Sequence, residues 1–353
     1  MRVLALTKYS SLGASSRLRT HQFVPWLRSK GVDVQVSELF DDVYIKNLYT
    51  KKRAIGNISK AYWRRLLALT RAKAFDVVWL EKEALPWLPS GIEVALLPGT
   101  KMLVDYDDAV FHRYDLHRSG LVRSLLGRKI DRVMRQASVV TVGNDYLGAR
   151  ARSAGCRCIE WIPTVVDIER YPKPQRRGRV GPTVVGWIGS PSTAPYLAAV
   201  APALEPLVKS GSVRCVAIGA RPDQVSGTPF VARPWTVDGE VASLSDLDIG
   251  IMPLHDGPWE RGKCGYKLIQ YMACGLPVVA SSVGINNQLV REGENGFLAS
   301  GVDSWSRAIA RLVSDAHLRV RMGENGRARV EQVYCLQVQG PRLLKILQEM
   351  AEG

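Results

Sequence analysis

Arg261, Lys263 and Lys267 place three cations within seven residues of this 353-residue chain, interleaved with Gly262 and Gly265. Leu268, Ile269, Met272 and Ala273 recur at helical spacing, which predicts a helix from Tyr266 to Cys274. Gly275 suits a left-handed cap, Pro277 bars continuation, and Val278–Ala280 reads as a short buried strand. The unpaired N–H groups that open such a helix favour a phosphate, and Gly265 lets one approach the backbone. Glu260 and Gln270 add groups that hydrogen-bond hydroxyls. The chemistry suggested is the binding of a phosphorylated, hydroxyl-rich ligand. The same residues also describe a plain buried α/β unit with a solvated basic rim.

A second concentration of functional groups is D-Y-D-D-A-V-F, Asp105–Phe111, at the end of a predicted strand Met102–Tyr106. The strand expected over Asp76–Leu80 likewise ends in Glu81, Lys82 and Glu83. The C-terminal ends of parallel strands face the ligand crevice of open α/β sheets, so Glu83, Asp107 and Asp108 are candidates by position. Asp108 can equally cap the next helix.

The elements that must carry these groups alternate strand and helix. Arg2–Thr7 is a buried strand, Lys8–Ser16 a Ser/Gly loop without G-x-G-x-x-G, and a helix follows with Arg17 and Arg19 near its start. Gly31 closes that helix and Val32–Ser37 alternates as a strand. One helix is expected over 121–136, then a strand at Val139–Val142. Residues 172–182 have the Pro, Gly and basic composition of a linker. Strands resume at Thr183–Ile188, Val213–Gly219 and Leu247–Pro253; residues 304–353 read as mostly helical, with Pro341 marking a turn.

The net charge is +15, and it is uneven: residues 1–170 hold 28 Lys and Arg against 17 Asp and Glu. That field favours an anionic partner. Residues 46–73 carry nine basic residues and no acid, with Tyr62, Trp63, Leu66, Leu67 and Leu69 among them. Such a segment can lie on an anionic membrane, or can pack its apolar side on the sheet with its charges solvated. Nucleic acid is not an expected partner, because no recognition motif accompanies the charge. Six cysteines without paired C-x-x-C spacing point to free thiols in a cytoplasmic protein. The N-terminal apolar run is too short for a signal peptide, and no run approaches 18 apolar residues.

Q-Y-M-A-C-G-L-P-V-V (Gln270–Val279) and G-x-N-x-x-x-V-x-x-G-x-N-G-F-L (Gly284–Leu298) resemble the retaining glycosyltransferases of family 4. The likeness extends over nearly the whole chain and is best from Val184 to Leu298. It implies the GT-B fold: two Rossmann-like, doubly wound α/β domains facing across a cleft. The first domain would be 1–171, the second 183–335, and a helix over 336–353 would cross back to the first. The implied reaction is sugar transfer from a nucleotide-sugar donor to an acceptor hydroxyl, with retention and without a metal or other cofactor. Cell-surface polysaccharide or glycolipid assembly would fit. Asp107, Lys267 and Glu260 take the catalytic roles. Gly189 and Ser190, in the loop after Ile188, belong to the donor site with Arg233 and Trp235. The stretch Arg261, Lys263, Cys264, Gly265 and Tyr266, with Gln270 on the ribose, completes it. Gly13, Arg17, Arg19, Glu83 and Asp108 fall on the acceptor side. The sequence departs from the family twice: Gln270 replaces one of its glutamates and Gly262 the other, with Glu260 as substitute. The Ser190 loop also lacks the family's phosphate-clamping cations, which Arg261, Lys263 or Lys267 would supply. Expected partners are the donor, a sugar or lipid-linked acceptor, and peripherally the inner face of a membrane. Retained binding without turnover is the alternative these departures raise.

Overall fold

The computed structural model describes residues 1–49, 55–97, 99–173 and 181–353. Two compact units emerge. One comprises Met1–Val165 with Gly262–Cys264 and Gln339–Gly353, the other Val166–Arg261 with Gly265–Val338. Most of the expected linker, 174–180, lies outside the described residues.

The first unit is built on a six-stranded parallel sheet. Its strands are β1 (Arg2–Tyr9), β2 (Asp33–Phe40), β3 (Val77–Glu81), β4 (Met102–Tyr106), β5 (Val139–Val142) and β6 (Ile159–Trp161). They lie in the order β2-β1-β3-β4-β5-β6. β3, β4 and β5 are buried along their whole length, as strands covered on both faces must be. Helices α1 (Phe23–Ser29), α2 (Ile55–Thr70), α3 (His112–Asp115), α4 (Gly120–Leu126), α5 (Lys129–Gln136) and α6 (Asp145–Ser153) are among those that surround it. β1 runs two residues further than expected, because Tyr9 pairs with Phe40 of β2 and packs in an aromatic group with Phe40 and Tyr44. The expected loop from Lys8 to Ser16 shrinks accordingly.

The helix expected over 121–136 is two helices. At Gly127 an added Cβ would stand 2.3 Å from the Arg123 carbonyl oxygen, and the chain turns there between α4 and α5. The C-terminal helix, Leu336–Glu352, continues through Pro341 rather than turning at it. Pro341 sits just past the first turn, where the missing N–H removes only one hydrogen bond. The end of this helix docks on the first unit: Gly340 lies against Trp26, and Lys101 donates to the Ala351 carbonyl at 2.8 Å.

The second unit repeats the design with β7 (Thr183–Ile188), β8 (Val213–Ile218), β9 (Phe230–Arg233), β10 (Ile249–Met252), β11 (Val278–Ser281) and β12 (Gly296–Ala299). The order is β12-β11-β10-β7-β8-β9, again wholly parallel. Among its helices are α7 (Pro258–Arg261), α8 (Tyr266–Ala273), α9 (Val302–Ser314) and α10 (Ala316–Val333). Gly250 and Gly186 let Tyr271 and Leu247 pack directly on the sheet; an added Cβ would approach either side chain to 2.3 Å. Both sheets reverse strand order once, between β1 and β3 and between β7 and β10. Ligands of open α/β sheets gather at the C-terminal ends of such strands.

The Gly284–Leu298 motif is architectural. Gly284 and Gly293 have left-handed backbones, Asn286 donates to the Ser281 carbonyl, and buried Asn295 bridges Arg291 and Leu289. Gly296 leaves no room for a Cβ beside the Val278 carbonyl of β11.

Candidate functional site

In the first unit, the reversal point is occupied by a network of charges. Glu81, at the end of β3, accepts from the Lys8 backbone at 2.9 Å and from Ser16 at 2.6 Å, fastening the two reversal strands together. Lys82 follows with a left-handed backbone, φ 63°, unusual for a side chain of its size. Its ammonium lies 2.7 Å from Asp107 and 3.4 Å from Asp108, and donates to Ser15 at 3.0 Å. Burial drives the Asp107 carboxyl up, but Lys82 and Arg19 outweigh it and hold it below its ordinary value. Asp108 is moved the other way, by burial first and then by Asp107. Of a neighbouring pair, one carboxylate is thus held charged while the other resists ionising. Asp108 does not cap the helix that follows.

Arg19 is not at a solvated helix start. It is buried, and its Nε donates to Asp105 at 2.8 Å while its second nitrogen reaches the other carboxylate oxygen. Glu83 is also inside, 2.7 Å from Lys129 and within 3.0 Å of the Tyr114 hydroxyl. Both hold the framework behind Asp107. Gly13 packs on Tyr9, where a Cβ would come within 2.4 Å, and Arg17 is half-buried beside the Ser11 carbonyl. Lys82 and Lys8 were missed; the residues after β1 and β3 are legible only as loop until the strand order is known. Burial first, then Arg113 and Lys82, push the Lys8 ammonium down to about 8 from 10.5. A base whose folded value is depressed costs stability below that value, and the cost is relieved as pH rises from about 8 towards 10.5. Lys8→Met is therefore expected to stabilise the protein at neutral pH by about 1–2 kcal/mol, allowing for partial exposure. Thermal melts across the alkaline range should show the gain vanish as pH rises.

Gly262–Cys264 belong to this unit. The Lys263 carbonyl accepts from buried Asn144 at 2.9 Å, and Cys264 is buried against Gly143. Burial raises the Cys264 thiol, so it is an inert packing group. At Gly262 a Cβ would stand 2.4 Å from the Ala109 Cβ and 2.8 Å from its backbone nitrogen. Gly262→Glu, which would supply the carboxylate the position lacks, is expected to cost about 1–3 kcal/mol in chemical denaturation instead.

In the second unit, the loops after β7, β8 and β10 close on one another through glycine. A Cβ on Gly219 would lie 2.2 Å from the Gly189 carbonyl oxygen; one on Gly189 would meet Trp187 and, at 2.8 Å, the Lys267 Cε. Lys267, half-buried in the first turn of α8, sits 5.4 Å over the Trp187 ring. Gly265 opens α8 at φ 67°. Ser190 leads into a 3-10 helix, Pro191–Ala199, and shares a 2.8 Å hydrogen bond with Ser192. Glu260 accepts from the Tyr196 hydroxyl. Arg261 is exposed and held in a two-pronged pair by Asp256 at 2.7 and 3.0 Å. Arg233 pairs with Asp246 at 3.3 Å.

Gln270 lies deeper than a surface ligand group, 2% exposed, and donates to the Tyr171 hydroxyl at 3.4 Å. That hydroxyl also meets Glu240, which accepts from the Trp235 indole at 2.9 Å. Tyr266, half-buried, opens α8 above this network. Neither Glu240 nor Tyr171 was anticipated as a site residue. Asp107 thus stands in one unit, Lys267 and Glu260 in the other.

Residues 182–315 match the family model described as glycosyl transferases group 1. Over 319 residues, 81% of this chain and 83% of the relative, the chain is 26% identical to a GDP-mannose-dependent monoacylated alpha-(1-6)-phosphatidylinositol monomannoside mannosyltransferase of Corynebacterium glutamicum. A D-inositol 3-phosphate glycosyltransferase of Salinispora tropica is 37% identical over 91 residues, 25% of this chain and 18% of that protein. Among solved structures, Anabaena HepE in complex with UDP-glucose superposes at TM-score 0.75, with 17% identity, covering 99% of this chain and 100% of that one. Sucrose-phosphate synthase from Thermosynechococcus elongatus gives 0.74 at 15% identity, covering 99% of each. Residues 182–315 are a glycosyl transferases group 1 domain, and the chain is a glycosyltransferase of the GT-B fold.

Proposed function

We propose that the chain moves a sugar from a nucleotide-activated donor to an acceptor hydroxyl, with retention and without a metal. The donor binds the second unit and the acceptor the first. The observation that carries this is the close approach of Gly189, just after reversal strand β7, to Gly219 and to the Lys267 side chain, beside the Gly265 start of α8. It offers backbone and one cation to a diphosphate. Ser190 adds a hydroxyl, and Trp235 and Arg233 flank the base, while buried Gln270 holds Tyr171 behind them rather than the ribose itself. Relatives described as GDP-mannose-dependent or solved with UDP-glucose support such a donor.

The chemistry needs no enzyme nucleophile. The acceptor oxygen bonds to the anomeric carbon on the face from which the phosphate departs, and its proton passes to the departing phosphate oxygen. Lys267 and the N–H groups opening α8 stabilise the charge that develops there. Asp107, kept ionised by Lys82, orients the acceptor; Glu260 holds a donor hydroxyl. The excess of positive charge in residues 1–170 suits an acceptor at the anionic inner face of a membrane, as in glycolipid or polysaccharide assembly. The test is a transfer assay over sugar nucleotides and simple glycoside or lipid acceptors, with and without EDTA, and product anomers read by NMR. Retained configuration in EDTA is expected. An inverted product, or activity restored only by metal, would sink the mechanism.

A further inference from the structure

The first unit exposes an unusual number of large apolar side chains around α3 and α4. Leu116 is 60%, Leu121 69% and Leu125 61% exposed, and Trp87 is 49% exposed. Leu121 and Leu125 are one turn apart on the outer side of α4, while Leu126 faces the core. Trp87 is tied to the same region. Its ring meets Tyr114 at 5.3 Å and His117 at 5.8 Å edge-on, and its backbone N–H donates to the Tyr114 hydroxyl. α2 joins this region through the Tyr62 hydroxyl, 2.6 Å from the Pro86 carbonyl, and presents Trp63 at 63% exposure.

The fringe of this patch is basic. Residues 116–136 hold six Lys and Arg against one Asp, and residues 55–73 five against none. Arg118, Arg123 and Arg128 are exposed around the α4 leucines. A cavity of about 480 Å³ opens beside them, lined by Arg123, Arg128 and Arg150. Asp115 and Asp131, both held by Arg150, also line it, so its three arginines and two carboxylates leave a net positive charge for an anion.

We infer that α4, with Leu116 and Trp87, docks on an anionic lipid bilayer. The leucines and indole enter the interface, and the arginines meet lipid phosphates, their stems lying along the apolar surface. An apolar face ringed by cations matches lipid chains beneath anionic head groups. The inference extends the membrane-proximal acceptor proposed above. It is tested without donor or acceptor, so each can fail alone.

The experiment is co-sedimentation of the full chain with vesicles of phosphatidylcholine, with or without phosphatidylglycerol, at low and high salt. Binding to the anionic vesicles only, weakened by salt, is expected. Leu121→Ser with Leu125→Ser should weaken it by about ten-fold or more. Both positions are exposed, so melting temperature and the stabilisation by nucleoside diphosphates should stay unchanged. Trp63→Glu should act in the same direction. Wild-type protein that ignores anionic vesicles overturns the inference. So does a double variant that binds as tightly as wild type, or one whose only change is loss of self-association.

Discussion

Arg19→Met is expected to lower the unfolding free energy by about 3–5 kcal/mol, because it strands a carboxylate inside the first unit. Asp105 is 3% exposed and takes hydrogen bonds from Arg19 and, at 2.6 Å, from Thr141. Without the guanidinium its charge has a single hydroxyl for company. The loss is in the orphaned partner rather than in the worth of the pair, so Arg19→Met with Asp105→Leu should recover most of it. Urea denaturation of the two variants measures this. If Arg19→Met alone unfolds like wild type, the pair does not anchor β4 beneath Asp107.

Lys267→Ala is expected to weaken nucleoside diphosphate binding by about ten- to a hundred-fold, the scale of a lost charge-assisted hydrogen bond. Its side chain lies between Trp187 and Gly189 on the second unit. Arg261→Ala should do far less, because Asp256 already occupies that exposed guanidinium. Titration calorimetry on both variants gives the contrast. Equal losses would mean that the diphosphate sits nearer α7 than the opening of α8.

Much of the frame was legible beforehand because its signals are local. The buried strands at Met102–Tyr106, Val139–Val142 and Thr183–Ile188 have the expected bounds, and Gly275 is left-handed as its place before Leu276-Pro277 implied. What misled was whatever depended on a distant neighbour. Arg19 reads as a helix-start cation until Asp105 is brought to it across the sheet. Cys264 and Lys263 sit between donor-site candidates in the chain, yet belong to the first unit, where Asn144 at the start of α6 donates to the Lys263 carbonyl. The break at Gly127 turned one expected helix into two and left Leu121 and Leu125 facing out. Glu240 and Tyr171 lie thirty and ninety-nine residues from Gln270, with no spacing to advertise them. Residues 50–54 of the basic segment lie outside the described structure. The flanking α2 buries Ala61 and Leu69, as packing on the sheet requires, and exposes Trp63 and Leu67.

Thermal unfolding against UDP, GDP, ADP, CMP and TDP, each with and without its sugar, tests the donor site most directly. A ligand at 100 times its dissociation constant stabilises by about 2.7 kcal/mol. One base should raise the melting temperature of the wild-type chain clearly and that of Lys267→Ala little. A folded chain that none of these nucleotides stabilises would contradict a nucleotide-sugar site on the second unit.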